Sequence, residues 1–184
     1  MRIIAGKLRS RQIKTLTGNN TRPTTDKVKE ALFNAIGPYF DGGVLLDMFS
    51  GSGSIAFEAL SRGMSFAVCI ESDNEAVKII TENTKNLQLD KVTKLIKADY
   101  QRALKMINDQ YKFDLVYIDP PYHYQDIDKM ISLLNKYTLL NINAIIIVET
   151  RKESQLNEQY DDIIKYKESV YGITKLTYYK KEER

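Results

Sequence analysis

The chain has 184 residues, 43% of them hydrophobic and 28% charged, a balance that suits one folded domain with a sizeable core and excludes a disordered chain. No apolar run reaches the roughly 18 residues that a membrane helix needs, and the opening MRIIAGKLRSR lacks the apolar stretch of a secretory signal, so a cytoplasmic protein without membrane association is expected. One cysteine, Cys69, excludes an internal disulfide framework, and one cysteine with one histidine makes no zinc site, so no metal is expected.

The net charge is only +3, but residues 1–22 carry Arg2, Lys7, Arg9, Arg11, Lys14 and Arg22 with no acid, which leaves −3 for residues 23–184. Basic residues alternate there with β-branched ones, in the pattern of a basic hairpin or extended arm rather than a solvated tail. Such a segment contacts a polyanion without making the rest of the surface basic. We therefore divide the chain into an arm over 1–22 and a main body over 23–184, together one domain.

After the arm, TRPTTD ends a loop, with Thr25 or Asp26 as helix N-cap, and VKEALFNAI has helical apolar spacing at Val28, Leu32 and Ile36. Strands and helices then alternate. Strands are predicted at Val44–Phe49, Phe66–Glu71, Val92–Lys97, Phe113–Ile118 and Ala144–Glu149. Helices are predicted at Ser54–Arg62, Asn74–Leu87, Gln101–Ile107 and Ile127–Tyr137. From Ile163 two strand-like runs flank Gly172 as a hairpin, in which Tyr178 and Tyr179 read as strand formers or surface residues. This order predicts an α/β fold: a three-layer sandwich around a mostly parallel sheet with an antiparallel terminal strand.

In open α/β sheets ligands bind beyond the carboxyl ends of the strands, and the chemistry-bearing residues fall there. The first strand leads into Asp47-Met48-Phe49-Ser50-Gly51-Ser52-Gly53, whose glycines let the backbone approach a ligand at a helix N-terminus. Ala56 stands third in a G-x-G-x-x-A pattern, so the loop alone does not separate a dinucleotide from another nucleoside cofactor. Glu71 ends the second strand, placed to accept hydrogen bonds from ribose hydroxyls, and Asp99 follows the third, placed to accept one from an adenine amine.

The fourth strand runs into Asp119-Pro120-Pro121-Tyr122, the most specific motif of the chain. Two prolines make a rigid turn without backbone donors. A carboxylate and a proline carbonyl together accept the two N–H bonds of an exocyclic base amine, whose lone pair is otherwise delocalised into the ring. The tyrosine stacks on a base taken out of its helix. Catalysis of that kind is positioning and electrostatics. His123 next to the motif reads as a surface or RNA-contacting residue rather than a general base, and Cys69 as core.

D-P-P-Y after the fourth strand, with D-M-F-S-G-S-G after the first, resembles the class I methyltransferases that act on base amino groups. R-I-I-A-G, T-R-P-T-T-D-K-V-K-E-A-L-F-N and F-S-G-S-G-S-I-A-F-E-A-L-S-R-G narrow the resemblance to the bacterial 16S ribosomal RNA guanine-N2 methyltransferases (RsmD-like), from Arg2 to about Tyr122. The resemblance implies a Rossmann-like seven-stranded sheet, S-adenosylmethionine as cofactor with S-adenosylhomocysteine as product, and a guanine N2 of 16S RNA in a small ribosomal subunit or its assembly intermediate as acceptor. A monomer is expected. Residue by residue, the resemblance assigns Asp47, Ser50, Gly51 and Gly53 to the methionine part of the cofactor, Glu71 to the ribose and Asp99 to the adenine, with Phe49, Ser52, Ser72, Tyr100 and Asp119 also expected to bind the cofactor. It assigns Asp119, Pro120 and Tyr122 to the target base, and Pro121 is counted with them in the catalytic motif.

Thr21, Arg22, Pro23 and Thr24 match a block that approaches the cofactor and RNA side, Thr24 being assigned to the cofactor. Ser50 departs from the family's Ala, and Lys27 and Lys29 from its Arg, keeping charge but losing bidentate phosphate geometry. A DNA adenine-N6 methyltransferase shares D-P-P-Y, but the chain has no evident separate target-recognition domain. A silent RNA-binding assembly factor would not need the intact loop and acids, and a nicotinamide oxidoreductase leaves D-P-P-Y without a role.

Overall fold

The apolar runs expected as buried strands form the middle of one sheet in the computed structural model, which describes residues 1–16, 26–121 and 126–183. In chain order the elements are α1 (Asp26–Ile36), β1 (Val44–Asp47), α2 (Ser54–Ser61), β2 (Phe66–Glu71), α3 (Asn74–Asn86), β3 (Thr93–Lys97) and α4 (Tyr100–Met106). They continue with β4 (Phe113–Ile118), α5 (Ile127–Lys136), β5 (Leu140–Arg151), β6 (Gln159–Tyr160), β7 (Ile163–Tyr171) and β8 (Thr174–Lys181). The strand order is β3-β2-β1-β4-β5-β8-β7-β6, parallel through β5 and antiparallel beyond it. The eighth strand, absent from the implied seven, is the two-residue β6 paired to β7.

Alternation along the central strands sorts side chains to two faces. Leu46, Val68, Val116 and Ile146 pack with Tyr100 and Leu104 of α4 and Met130 and Leu134 of α5. Leu45, Cys69, Tyr117 and Ile147 pack on the other face with Leu32 and Phe33 of α1 and Ala56 and Leu60 of α2. Each fully buried Leu, Ile or Phe contributes roughly 1.5–3 kcal/mol, and this double-sided burial holds the three layers together. Cys69 is core, as its place in the strand suggested. No helix among the described residues is long and apolar enough to cross a membrane.

Two expectations need correction, and a choice left open is decided. Tyr178 and Tyr179 are strand formers rather than surface residues: both lie in β8 with 0% exposure, because β8 runs inside the sheet between β5 and β7. β5 starts four residues before Ala144, at Leu140 (144 − 140). Two residues of β4 there span five of β5, an irregularity that includes Asn143 at φ 66, a conformation asparagine tolerates. Lys29 makes no phosphate-facing site. Its side chain is fully buried, its Nζ donating to the Arg2 carbonyl at 2.8 Å and lying 3.4 Å from the Glu58 carboxylate.

The arm folds back on itself through one antiparallel bridge, Arg2 with Gln12, so the hairpin-like reading describes it. Its apolar residues Ile3 and Ile13 are buried against Phe57 of α2 and Ile80 and Leu87 of α3. Gly6 explains part of the R-I-I-A-G motif: at φ +83 it runs so close to α2 that a Cβ would lie 1.8 Å from the Ser61 carbonyl oxygen.

Candidate active site

A cleft of about 1050 Å³ opens at the carboxyl edge of the parallel strands, around the switch in strand order between β1 and β4. That volume is at the upper end of pockets that hold a drug-sized ligand or cofactor. Asp47, Phe49, Ser50, Gly51, Ser52, Glu71, Ser72, Asp99, Tyr100, Asp119, Pro120 and Pro121 all line it. Gly53 does not; it precedes the wall residue Ser54 as the N-cap of α2, at φ 80. Thr24, Arg22, Tyr122, His123 and Tyr124 lie outside the described residues.

The loop after β1 is held from both sides. The Met48 N–H donates to the Tyr117 carbonyl and the Ser50 N–H to the Ile70 carbonyl, each at 3.0 Å. The Gly51 N–H donates to Glu71 Oε2 at 2.9 Å. A Cβ on Gly51 would meet nothing within 4 Å, so its backbone faces open space. α3, α4 and α5 begin with the aspartate caps Asp73, Asp99 and Asp126, whereas α2 has no side-chain cap. Among the described residues the first N–H groups of α2 therefore have no side-chain acceptor, which leaves them able to receive a ligand carboxylate.

Burial drives the chemistry of Asp47. Desolvation, followed by the nearby charge of Glu71, pushes its carboxyl up to about 7, although bonds from the Phe49 backbone and the Ser50 hydroxyl act in the opposite direction. Its Oδ1 is buried without a hydrogen-bond partner among the described residues. An ammonium or other cation beside it would supply the missing partner and restore the ionised form.

Glu71 and Asp99 stand where expected but also serve the protein. Glu71 Oε1 accepts from the Ser72 and Asp73 N–H groups, each at 2.8 Å. Asp99 Oδ1 accepts from Gln101 at 3.0 Å and from Arg102 at 3.1 Å as the cap of α4. A ribose or adenine would therefore share these acids with the backbone rather than own them. Phe49 packs on Tyr100 with ring centres 5.7 Å apart, forming an aromatic wall beside Asp99.

The cleft also contains groups that sequence reasoning missed. Tyr117 of β4 donates its hydroxyl to Glu149 Oε2 of β5. Ile118 pairs with Val148, so Glu149 stands next to Asp119 across adjacent strand ends. Arg151, Gln155 and Thr174 close the far wall, and Met1, Thr15 and Leu16 of the arm reach the near one. An acid at the carboxyl end of the expected Ala144–Glu149 strand was the available signal for Glu149.

Among the described residues six carboxylates line the cleft, Asp47, Glu71, Asp73, Asp99, Asp119 and Glu149, against one side-chain cation, Arg151. The described basic residues of the arm lie outside the cleft wall. Arg2 faces Asp26 at 3.4 Å, Lys14 pairs with Glu82, Arg11 donates to the Asn86 carbonyl at 2.9 Å, and Lys7 and Arg9 are exposed. Exposed pairs of this kind are worth at most about 1 kcal/mol and yield readily to a polyanion. The molecule thus presents an acidic cleft suited to a cationic ligand and a basic arm suited to phosphates.

The chain is similar over its whole length to proteins of known name. YlbH of Bacillus subtilis is 39% identical over 182 residues, covering 98% of this chain and 99% of its own. Ribosomal RNA small subunit methyltransferase D of Haemophilus influenzae is 39% identical over 157 residues, 85% of this chain and 81% of that protein. The solved structure of yhhF from Escherichia coli superposes with a TM-score of 0.85 at 29% identity, covering 100% of this chain and 99% of that one. The model of the family described as Conserved hypothetical protein 95 matches residues 1–180, and this chain belongs to that family, alongside the small-subunit ribosomal RNA methyltransferases D.

Proposed function

We propose that this protein transfers the methyl group of S-adenosylmethionine to the exocyclic N2 amine of a guanine in 16S ribosomal RNA of the small subunit. The observation that carries the reading is the meeting of two groups of residues in one cleft. The Asp47–Gly51–Glu71–Asp99 edge joins the Asp119-Pro120-Pro121 turn at adjacent strand ends. Relatives named for small-subunit ribosomal RNA methylation support the substrate class.

The donor set fits the cofactor: among the described residues Asp47 Oδ1 lacks a partner, the α2 N-terminus lacks a side-chain cap, and six acids line the space. Asp47 would face the ammonium of the methionine portion and the α2 N–H groups its carboxylate, with Glu71 on the ribose and Asp99 beside the adenine. When bound, S-adenosylmethionine supplies an electrophilic methyl group on sulfur.

The protein's own work is done at the amine. Asp119 and the Pro120 carbonyl accept its two N–H bonds, draw the nitrogen out of conjugation with the ring and aim its lone pair at the methyl carbon. The new N–CH3 bond forms as the S–CH3 bond breaks, leaving S-adenosylhomocysteine and a proton on the amine that passes to solvent. Tyr122 would stack on the base. The basic arm, with Arg2, Lys7, Arg9, Arg11, Lys14 and Arg22, would hold the RNA backbone outside the acidic cleft.

The test is methyl transfer from labelled S-adenosylmethionine to unmethylated small subunits, naked 16S RNA and duplex DNA, with nucleoside analysis of the product. N2-methylguanosine from ribosomal RNA is the expected result. Label in DNA adenine would overturn the substrate, and no label from cofactor-competent protein would overturn the enzyme reading.

A further inference from the structure

Asn83 has a role that no motif announced. It lies on α3 with 1% exposure, and its amide uses three hydrogen bonds to join two otherwise separate parts of the molecule. The Lys14 N–H donates to Asn83 Oδ1 at 2.9 Å, and Asn83 Nδ2 donates back to the Lys14 carbonyl at 2.9 Å. The second Nδ2 hydrogen goes to the Ser52 carbonyl at 3.0 Å. The side chain thus grips the arm backbone at two points, as a neighbouring strand would, and holds the peptide between Ser52 and Gly53 with its remaining donor.

Lys14 is where the arm changes character. Before it, Arg11 and the Lys14 side chain reach along α3 to Asn86 and Glu82, on the exposed side. After it, Thr15 and Leu16 form part of the cleft wall. The loop after β1 is correspondingly clamped at two adjacent residues, Gly51 by Glu71 and Ser52 by Asn83. The Ser52 clamp fixes the plane of the peptide that enters α2, and so the aim of the uncapped N–H groups behind it.

We propose that Asn83 is a positioning residue through which the basic arm sets the loop from Gly51 to Gly53, so that RNA on the arm and cofactor on the loop bind with positive cooperativity. The proposal rests on the roles given to arm and loop in the functional reading above. An RNA backbone that immobilises Lys14 also immobilises the amide it shares with Ser52, which removes part of the ordering that the cofactor would otherwise have to impose. By linkage the cofactor tightens RNA to the same degree.

The test titrates S-adenosylhomocysteine calorimetrically into the wild type, Asn83→Ala and Glu82→Ala, each with and without saturating small ribosomal subunits. Expected for the wild type is an RNA-dependent tightening of about fivefold or more. Asn83→Ala should lose that gain and raise the cofactor KM about tenfold, with kcat within about threefold at saturation. Glu82→Ala, which removes a surface pair beside the amide, should keep the coupling. Should Asn83→Ala fail to fold, hydrogen exchange of the wild type decides: bound RNA must slow the amides of residues 51–54. Cofactor affinity or loop exchange that RNA leaves unchanged in the wild type overturns the coupling and leaves the functional reading standing. Wild-type protein that binds no S-adenosylhomocysteine overturns both.

Discussion

Glu58 and Asp47 are both buried carboxylates on the same side of the sheet, at 0% and 1% exposure, and their surroundings are opposite. Glu58 accepts from the Ile4 N–H at 2.8 Å, the Ala5 N–H at 3.0 Å and Arg62 Nε at 2.7 Å, with Lys29 Nζ 3.4 Å away. Asp47 keeps one oxygen without a partner among the described residues, and burial with Glu71 nearby holds its carboxyl near neutrality. A buried charge met on every side is architecture; here it closes the root of the arm onto α1 and α2. A buried acid left incomplete is a place where something else belongs.

The largest expected effect breaks the completed site. Glu58→Ala leaves two backbone donors and two cations unpaired in the interior, and should destabilise the fold by about 3–5 kcal/mol. Urea unfolding measures this directly, and a loss below about 1 kcal/mol would end the view of Glu58 as an anchor. Asp119→Ala tests the catalytic edge of the cleft: turnover should fall by about a hundredfold or more with cofactor affinity kept. Loss of cofactor binding in a normally folded variant would show Asp119 to be misplaced.

Asp47→Asn should do the reverse of Glu58→Ala, leaving the free protein as stable or more so while weakening cofactor binding about tenfold. The pH dependence sharpens the contrast. Asp47 is held at about 7 in the folded protein against an ordinary 3.8, so between roughly pH 4 and 7 the folded state keeps a proton that the unfolded state has lost. Its contribution to stability is complete below pH 4, falls as pH rises to 7 and is flat above, and Asp47→Asn should remove that slope. A cationic cofactor pulls the carboxyl down, so binding at pH 7 should release protons in the wild type only; calorimetry in buffers of different ionisation enthalpy detects this. The smallest effect lies on the arm. Neutralising Arg9 and Arg11 should lower the slope of log affinity against log salt by about one to two, and an unchanged slope would return the arm to a solvated tail.

Much of the cleft was legible because a doubly wound sheet places the residues after its strands along one edge. Asp47, Glu71, Asp99 and Asp119 follow four successive strands, and all four line the cleft. Glu149 reaches the same edge from within β5, which runs on to Arg151, and carried no motif. Glu58, Lys29 and Arg62 read locally as ordinary charges of amphipathic helices, and only the packing of α1, α2 and the arm makes them one buried cluster. Asn83 gave no signal either, since its partners lie 69 and 31 positions away. β6 is too short for any periodicity, and the inner place of β8 was not legible because nothing local tells which strand of a hairpin pairs inward.

Periodicity, punctuation and the run D-P-P-Y act over a few residues, so the sequence by itself determined the alternation of elements, the fold and the edge on which the chemistry collects. What depends on groups far apart in the chain was decided by the tertiary structure alone. Desolvation raised Asp47, four converging donors made Glu58 an anchor, and one buried amide joined Lys14 to Ser52. Burial and hydrogen-bond saturation are properties of the enclosed volume, not of neighbours in sequence, and they separate a carboxylate that holds the fold from one that waits for a ligand.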